Sequence, residues 1–350
     1  RIPSMQREIK PLADLRAFWD IYQTIRRLQP RVVHTHQAKA GTLGRIAAAL
    51  CNVPIIVHTF HGLSLRDYFG PVKNRIFLTM EKICARASTA LIATGPNDRS
   101  ELIEIGVAPE DKFVVIPLGL PLQNLAETAA NSKGELRAEL DIPEDELLVV
   151  YIGRLVPIKN IPSFIDMAAQ VLERRDDVRF VLFGEGPLRD QLQQQSETLG
   201  INDRVSFYGV TDNIQRVYAD ADLVVLCSRR EGMSLVMMES LATAVPVVST
   251  EVGDVTNSVI EGVTGRLVPP EDTEALSERV LEALDDMDES RKMARRGQEH
   301  VLNSFSLEAL SKRVNALYDA LTNNGCYENP IPLYYQSTNN ERQKRENSDW

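Results

Sequence analysis

Residues 223–250, LVVLCSRREGMSLVMMESLATAVPVVST, decide the reading of this 350-residue chain. Leu223–Cys227 is a continuous apolar run of strand length. Ser234–Ala244 is apolar and long enough for a buried helix, and Val245–Val248 reads as the next strand. Strand, loop and helix in succession make half of a βαβ unit. The loop between them is Ser228-Arg229-Arg230-Glu231-Gly232-Met233. In an open parallel sheet, ligands gather where strands end and helices begin. The first turn of a helix has unpaired N–H groups and a partial positive charge, so it suits phosphate. Gly232 would let backbone come close to such a group. Further along, Glu239 is a carboxylate on an otherwise apolar helix, and burying it unpaired would cost on the order of several kcal/mol. Sugar hydroxyls would serve as its partners. Counting 1.5 Å per residue from Ser234, it stands roughly 7–8 Å up the axis, a ribose distance from a phosphate at the helix start. From spacing alone, Glu231 is equally well a solvated loop charge and Glu239 a helix-edge residue.

Working backwards, the same alternation repeats: strand Leu147–Ile152, helix Ile161–Arg174, strand Arg179–Phe183, helix Pro187–Leu199, strand Val205–Tyr208 and helix Thr211–Ala219. This is the pattern of a doubly wound α/β domain. Its first strand leads into Gly153-Arg154-Leu155-Val156-Pro157-Ile158-Lys159-Asn160. Two cations in a loop after a strand can grip a diphosphate and neutralise a departing one, Arg as a fork and Lys as a point charge. Most such pairs are simply exposed loop charges. Past the opening stretch, Arg266–Val268 reads as a short strand, and 273–287 and 306–321 as helices.

The first hundred residues alternate in the same way. Residues 12–29 have Leu12, Leu15, Phe18, Trp19, Tyr22, Ile25 and Leu28 at helical spacing. Val32–His36, Ile55–Thr59, Ala90–Thr94 and Phe113–Ile116 read as strands, and Gly41–Leu50 as a small-residue helix able to pack close to a sheet. Thr35–Gly41 is then another strand-to-helix loop, containing Lys39, and Phe60-His61-Gly62 follows the second strand. Residues 72–86 form a helix with Ile76, Phe77, Met80 and Ile83 on one side and Lys73, Arg75, Lys82 and Arg86 around the rest. Such a helix docks on its own sheet or on a membrane surface. Residues 117–146, punctuated by Pro117, Pro121 and Pro143, read as an interdomain connection with a helix near 132–140.

A length of 350 residues suits two domains, and 43% hydrophobic with 25% charged residues is ordinary for a globular protein. No run approaches the ~18 apolar residues of a membrane span, and no signal peptide is visible. Cys51, Cys84, Cys227 and Cys326 are too scattered for a metal or redox motif, which points to reduced thiols in a cytoplasmic protein. The net charge of −10 is unevenly spread: residues 1–100 hold 15 Lys and Arg against 6 Asp and Glu, and the rest is acidic. The first segment is therefore drawn to anionic surfaces such as a membrane leaflet or a lipid pyrophosphate. Nucleic acid is not expected, because no aromatic platform or recognisable binding module accompanies the basic residues.

Several of these stretches together resemble the retaining GT-B glycosyltransferases of family 4. Glu231 and Glu239 enclose seven residues, as in that family's E-x7-E signature. Gly153, Arg154, Lys159 and Asn160 match its donor-phosphate motif, and Gly184-Glu185-Gly186-Pro187-Leu188 its loop beside the nucleotide base. His61-Gly62 resembles its first-domain histidine loop. Residues 34–50, HTHQAKAGTLGRIAAAL, resemble the subgroup that builds capsule, exopolysaccharide and O-antigen units on a lipid carrier. The matches run in family order over roughly residues 5–320.

The resemblance implies an α/β chain of GT-B fold, with two Rossmann-like doubly wound domains facing across a cleft. The expected boundaries are 1–125 for the acceptor-side domain and 126–304 for the nucleotide-sugar domain. A helix at 305–322 is expected to return to the first domain, and 323–350 to be a disordered polar tail. The implied donor is a nucleotide sugar, a UDP-sugar foremost, with a lipid-linked saccharide as acceptor. Arg154, Lys159 and the backbone around Gly232, Met233, Ser234 and Leu235 would hold the diphosphate. Gly153, Gly184, Gly186 and Pro187 would shape the nucleotide site, Glu239 would bind ribose, Glu231 the donor sugar, and His61 the sugar or acceptor. Lys39 is a candidate acceptor-phosphate contact. No cofactor or metal is expected. Asp220-Ala221-Asp222 formally reads as the D-x-D metal signature of GT-A enzymes, but its place at a strand entry matches an ordinary structural position in family 4. The expected location is the cytoplasm, or the inner face of the cytoplasmic membrane. Two departures stand out. Val252-Gly253-Asp254-Val255-Thr256-Asn257 replaces the family's V-G-G-x-P-E. A strand and Gly-rich loop are also expected ahead of residue 1, about two βα units or on the order of 60 residues. The alternatives are an epimerase-like GT-B enzyme and a catalytically silent sugar-nucleotide-binding protein.

Overall fold

The computed structural model describes residues 2–6, 10–61, 71–323, 325 and 327, so the expectations for Gly62, Cys326 and most of the tail lie outside the described residues. The chain divides into two compact units, one built on residues 1–118 and 311–330 and the other on 119–310.

The first unit runs α1 (Pro11–Leu28), β1 (Val32–His36), α2 (Ala38–Leu50), β2 (Ile55–Thr59), α3 (Pro71–Ala87), β3 (Ala90–Ala93), α4 (Pro96–Glu104) and β4 (Phe113–Val115). Its four strands are parallel, in the order β1-β2-β3-β4. The two inner strands are buried at every residue, as a covered parallel sheet requires. Helix α2 lies close against the sheet through its glycines. A side-chain carbon at Gly41 would stand 2.4 Å from the His58 ring, and one at Gly44 2.7 Å from Thr35. The helix begins at Ala38 rather than at Gly41, so Lys39 lies in its first turn and not in a loop.

The second unit runs α5 (Leu122–Ala130), α6 (Glu135–Glu139), β5 (Leu147–Ile152), α7 (Ile161–Leu172), β6 (Val178–Phe183), α8 (Arg189–Thr198), β7 (Val205–Gly209), α9 (Ile214–Asp220), β8 (Leu223–Leu226), α10 (Leu235–Ala242), β9 (Val247–Thr250), β10 (Arg266–Val268), α11 (Thr273–Asp285) and α12 (Met287–Phe305). Helix α13 (Leu307–Thr322) follows, with residues 311–322 in the first unit. Six parallel strands lie in the order β10-β9-β8-β5-β6-β7. The chain thus builds outward from β5 to β7, then returns and builds outward on the other side from β8 to β10. The reversal falls between β5 and β8, and a crevice at such a point is where doubly wound sheets bind ligands. Tyr151, Phe164, Phe180, Val225 and Met167 are among the fully buried side chains of the core.

Three expectations are corrected here. The second unit starts at Gly119 instead of 126, because α5 packs on α9 and α10 of that unit. The 117–146 stretch therefore holds two helices, α5 and α6, and belongs from Gly119 onward to the second unit. The strand after α10 is Val247–Thr250, two residues later than expected, with Val245–Pro246 left to turn the chain. The sequence analysis also assigned no helix to 288–305, where α12 runs with Ser290, Ala294, Gly297, Val301, Ser304 and Phe305 buried. This buried face recurs at helical spacing but is made mostly of small residues, with Val301 and Phe305 as its larger apolar members. It lets α12 close onto α10, where a side-chain carbon at Gly297 would stand 2.6 Å from Leu241. Gln298 then donates from Nε2 to the Ala242 carbonyl at 2.7 Å, occupying an acceptor at the end of α10.

Candidate active site

The loops that follow β5, β6, β8 and β9 lie at one edge of the second sheet, because all these strands are parallel. Arg154 and Lys159 leave β5, and Glu231 leaves β8, so they flank the reversal. The Lys159 ammonium forms an ion pair with Glu231 Oε1, and both side chains are largely buried. The same carboxylate oxygen accepts a hydrogen bond from the Ser228 hydroxyl at 2.6 Å. Ser228 is in turn fixed through its carbonyl, which accepts from the Thr250 hydroxyl at 2.7 Å. Arg154 is exposed, and its guanidinium has no partner among the described residues. The two cations are thus brought to one crevice but differ in state, one neutralised by Glu231 and one open to an anion.

Gly184 explains how two loops share this edge. Its φ of +137° is one that L side chains rarely adopt, and a side-chain carbon there would stand 2.0 Å from the Gly153 carbonyl oxygen. The loop after β6, through Gly186 and Pro187, is therefore laid directly on Gly153–Leu155. Gly253 does the same for the departing V-G-D-V-T-N segment. It has a φ of +53°, and a side-chain carbon would stand 1.8 Å from the Glu231 carbonyl. The replaced family positions find partners of their own: Asn257 Nδ2 donates to Asp254 Oδ1 at 3.1 Å.

Helix α10 opens beside Glu231. Ser234 is its N-cap, accepting from the Met237 N–H at 3.5 Å, so the first-turn N–H groups point toward the crevice side of the loop. Gly232 and Leu235 are exposed. Glu239 lies further up the helix, half-buried, and its Oε2 accepts from the Tyr218 hydroxyl at 2.7 Å. Burial pushes the carboxyl above its ordinary range, and the phenol hydrogen bond pulls it back. The carboxylate therefore has the partner its burial demands, and it comes from the protein. Sequence reasoning gave a role to neither Tyr218 nor Ser228. The only available signals were an aromatic hydroxyl ahead of the D-x-D and a serine three residues before Glu231.

The D-x-D itself is consumed by the fold. Asp220 is wholly buried and accepts from the backbone N–H groups of Gly134, Leu136 and Arg137 at 2.6, 2.9 and 3.0 Å. Asp222 accepts from Arg137 Nη2 and, at 3.0 Å, from the Leu148 N–H.

In the first unit, four histidines collect at the ends of β1 and β2. His36 Nδ1 and His61 Nε2 are 3.0 Å apart, so one must donate and the other accept. The His34 ring stacks on His36 at 4.4 Å and is held by the Tyr318 hydroxyl at 2.6 Å and the Thr59 hydroxyl at 2.7 Å. His58 is buried and bonded to Thr35 at 2.9 Å. Burial foremost, then neighbouring positive charge, holds His34 down to about 4 and His58 down to about 2. An unfolded chain titrates these groups near ~6.5. Below that pH it takes up protons that the fold refuses, so stability falls as pH drops from about 6.5 toward the folded values. The expected result is a melting temperature that declines steadily between pH 7 and pH 5, and less so in His34→Gln. A melting temperature flat across that range would refute neutral burial. Lys39 does not stand free for an acceptor phosphate. It pairs with Asp14 and donates to the Gln6 carbonyl at 2.9 Å.

Comparison with known proteins agrees with this geometry. The model of a family described as "Glycosyl transferases group 1" matches residues 132–300, and that of a "Glycosyl transferase 4-like domain" matches residues 1–119. A UDP-Gal:alpha-D-GlcNAc-diphosphoundecaprenol alpha-1,3-galactosyltransferase of Escherichia coli is 27% identical, over 91% of this chain and 82% of that protein. The capsular polysaccharide biosynthesis glycosyltransferase CapM of Staphylococcus aureus is 25% identical, over 90% and 83%. The crystal structure of Anabaena Alr3699/HepE in complex with UDP superposes with a TM-score of 0.77 at 22% identity, over 89% of this chain and 84% of that one. Two parallel-sheet α/β units with these neighbours define a glycosyltransferase of GT-B fold. The chain belongs to the group 1 glycosyltransferases, with a first domain of the family 4 type.

Proposed function

We propose that the second unit binds a UDP-sugar and that the enzyme transfers the sugar, with retention of configuration, to a lipid-linked saccharide in cell-surface polysaccharide synthesis. The observation that carries this reading is the Lys159–Glu231 ion pair at the reversal between β5 and β8, just ahead of α10, with Arg154 on the same β5 loop and Glu239 further along that helix. Arg154, Lys159 and the first turn of α10 take the diphosphate, Glu239 the ribose hydroxyls, and Glu231 the donor-sugar hydroxyls. Lys159 exchanges its bond to Glu231 for one to phosphate, which frees that carboxylate for the sugar. His61, just after β2 in the first unit, is assigned to the acceptor. The leaving phosphate helps to deprotonate the acceptor on the same face, with the cations stabilising its charge. The reading is supported by the E. coli relative, which uses UDP-Gal, and by HepE, which was solved with UDP.

The test is a thermal-shift panel of UDP, GDP and ADP in the presence of EDTA, on the wild type and on Glu239→Ala. Stabilisation by UDP above the others, weakened in the variant, is expected. Equal behaviour of the two proteins, or no response to any nucleotide, would overturn the donor assignment.

The membrane part of the proposal rests on the outer faces of α1 and α3. Leu12, Leu15, Trp19 and Leu28 on α1 and Ile76, Met80 and Ile83 on α3 are exposed. Basic residues lie among them, Arg16, Arg26 and Arg27 on the first helix and Lys73, Arg75 and Arg86 on the second. No described helix is long and apolar enough to cross a membrane. Surface docking by apolar side chains and anionic lipid is the mode such faces permit. The protein should sediment with vesicles containing anionic lipid at low salt, and Trp19→Ala combined with Ile83→Ser should abolish this. Recovery wholly in the supernatant would refute it.

A further inference from the structure

We propose that Tyr218 is a positioning residue for Glu239 and that the Tyr218-Ala219-Asp220-Ala221-Asp222 segment is the device that holds it there. This deepens the assignment of Glu239 to ribose and rests on it. Glu239 has two carboxylate oxygens. Oε2 is occupied by the Tyr218 hydroxyl at 2.7 Å, and Oε1 has no partner among the described residues. A carboxylate fixed by one oxygen presents the other at a set position, which a two-point ligand such as a ribose diol needs. The phenol supplies the proton of this bond, because burial pushes Tyr218 far above the ordinary phenol range and the Glu239 charge adds to the push. Glu239 is thereby kept as an acceptor for ribose O–H groups.

The anchorage of Tyr218 comes from the D-x-D. The ring is 1% exposed near the end of α9. Two residues on, Asp220 binds three backbone N–H groups at the start of α6, and Asp222 ties the entry of β8 to Arg137 and to β5. Both acidic residues therefore immobilise the α9–β8 turn that aims the phenol. The ordinary alternative is that Tyr218 is a core aromatic whose hydroxyl needs some acceptor. That would account for the bond but would give it no effect on ligand.

Tyr218→Phe removes the hydroxyl and keeps the ring, so the fold should persist, as circular dichroism and the melting temperature would show. Calorimetric titration with UDP should then show binding weakened about tenfold, the size of a hydrogen bond to a charged group. Titration with pyrophosphate, which has no ribose, should be unchanged. The pH below which UDP binding is lost should also move upward. Tyr218 is the titratable side chain that acts on Glu239 among the described residues, and without it burial alone sets that carboxyl. Equal weakening toward UDP and pyrophosphate would mean a general structural defect and would overturn the inference. Wild-type UDP binding in Tyr218→Phe, with weakened binding in Glu239→Ala, would overturn it while leaving the ribose assignment standing. Unweakened UDP binding in Glu239→Ala would remove the assignment on which it rests.

Discussion

Replacing Lys159 with Ala is expected to lower kcat/KM for sugar transfer by about 10²–10³-fold, with little change in melting temperature. The size follows from where the cation stands. Charge develops on the departing phosphate in the transition state, and one preorganised donor at such a point is worth about 3–4 kcal/mol. The side chain is largely buried in the crevice, where water screens it poorly. Removing it also strands the Glu231 carboxylate, although the Ser228 hydroxyl at 2.6 Å still holds one oxygen. That remaining bond is why folding should survive. Lys159→Arg should recover only part of the activity, since a planar fork does not fit a place shaped for a point charge. The Lys159→Ala and Glu231→Ala effects should fall well short of additive, because the two groups touch. Steady-state kinetics on the four proteins of that cycle is the measurement. Near-normal turnover in Lys159→Ala, or full additivity, would sink the assignment.

Asp220→Ala should behave in the opposite way, destabilising the second unit by about 3–5 kcal/mol and lowering its melting temperature on the order of 10 °C. Asp220 is fully buried, and it is the acceptor for three backbone N–H groups. Alanine takes the acceptor from all three, and the N–H of the buried Leu136 is left without a partner, which is among the costlier single changes a fold can suffer. A metal-ligand role for the D-x-D predicts the reverse: an intact melting temperature and an activity that responds to added divalent ions. Differential scanning calorimetry with and without EDTA separates the two readings, and an unchanged melting temperature in Asp220→Ala would refute the structural role.

The histidines show how far the sequence reached in the first unit. It pointed to His61 through the loop after β2, but not to the pairing of His61 with His36 at 3.0 Å or the stack of His36 on His34. The first joins residues 25 apart in the chain, which no local pattern encodes, whereas the second lies within β1, between residues two apart on one face of the strand. Lys39 poses the same kind of problem. Its partners, Asp14 and the Gln6 carbonyl, come from far upstream, so its spacing in the strand-to-helix stretch said nothing about its availability.

By itself the sequence determined the βα alternation, the fold class, and the positions of Arg154, Lys159, Glu231 and Glu239 at strand ends and on one helix. Each of these rests on a local signal: apolar runs of strand length, glycines at turns, charges at fixed offsets. Only the tertiary structure decided which strands lie beside each other, and so that the β5 and β8 loops share one crevice in which Lys159 meets Glu231. It alone placed α12, whose buried face is mostly small residues, and it alone gave Glu239 the Tyr218 hydroxyl and the D-x-D its backbone partners. These are long-range packings, and their selection depends on closing the whole core around groups that must not be buried unpaired.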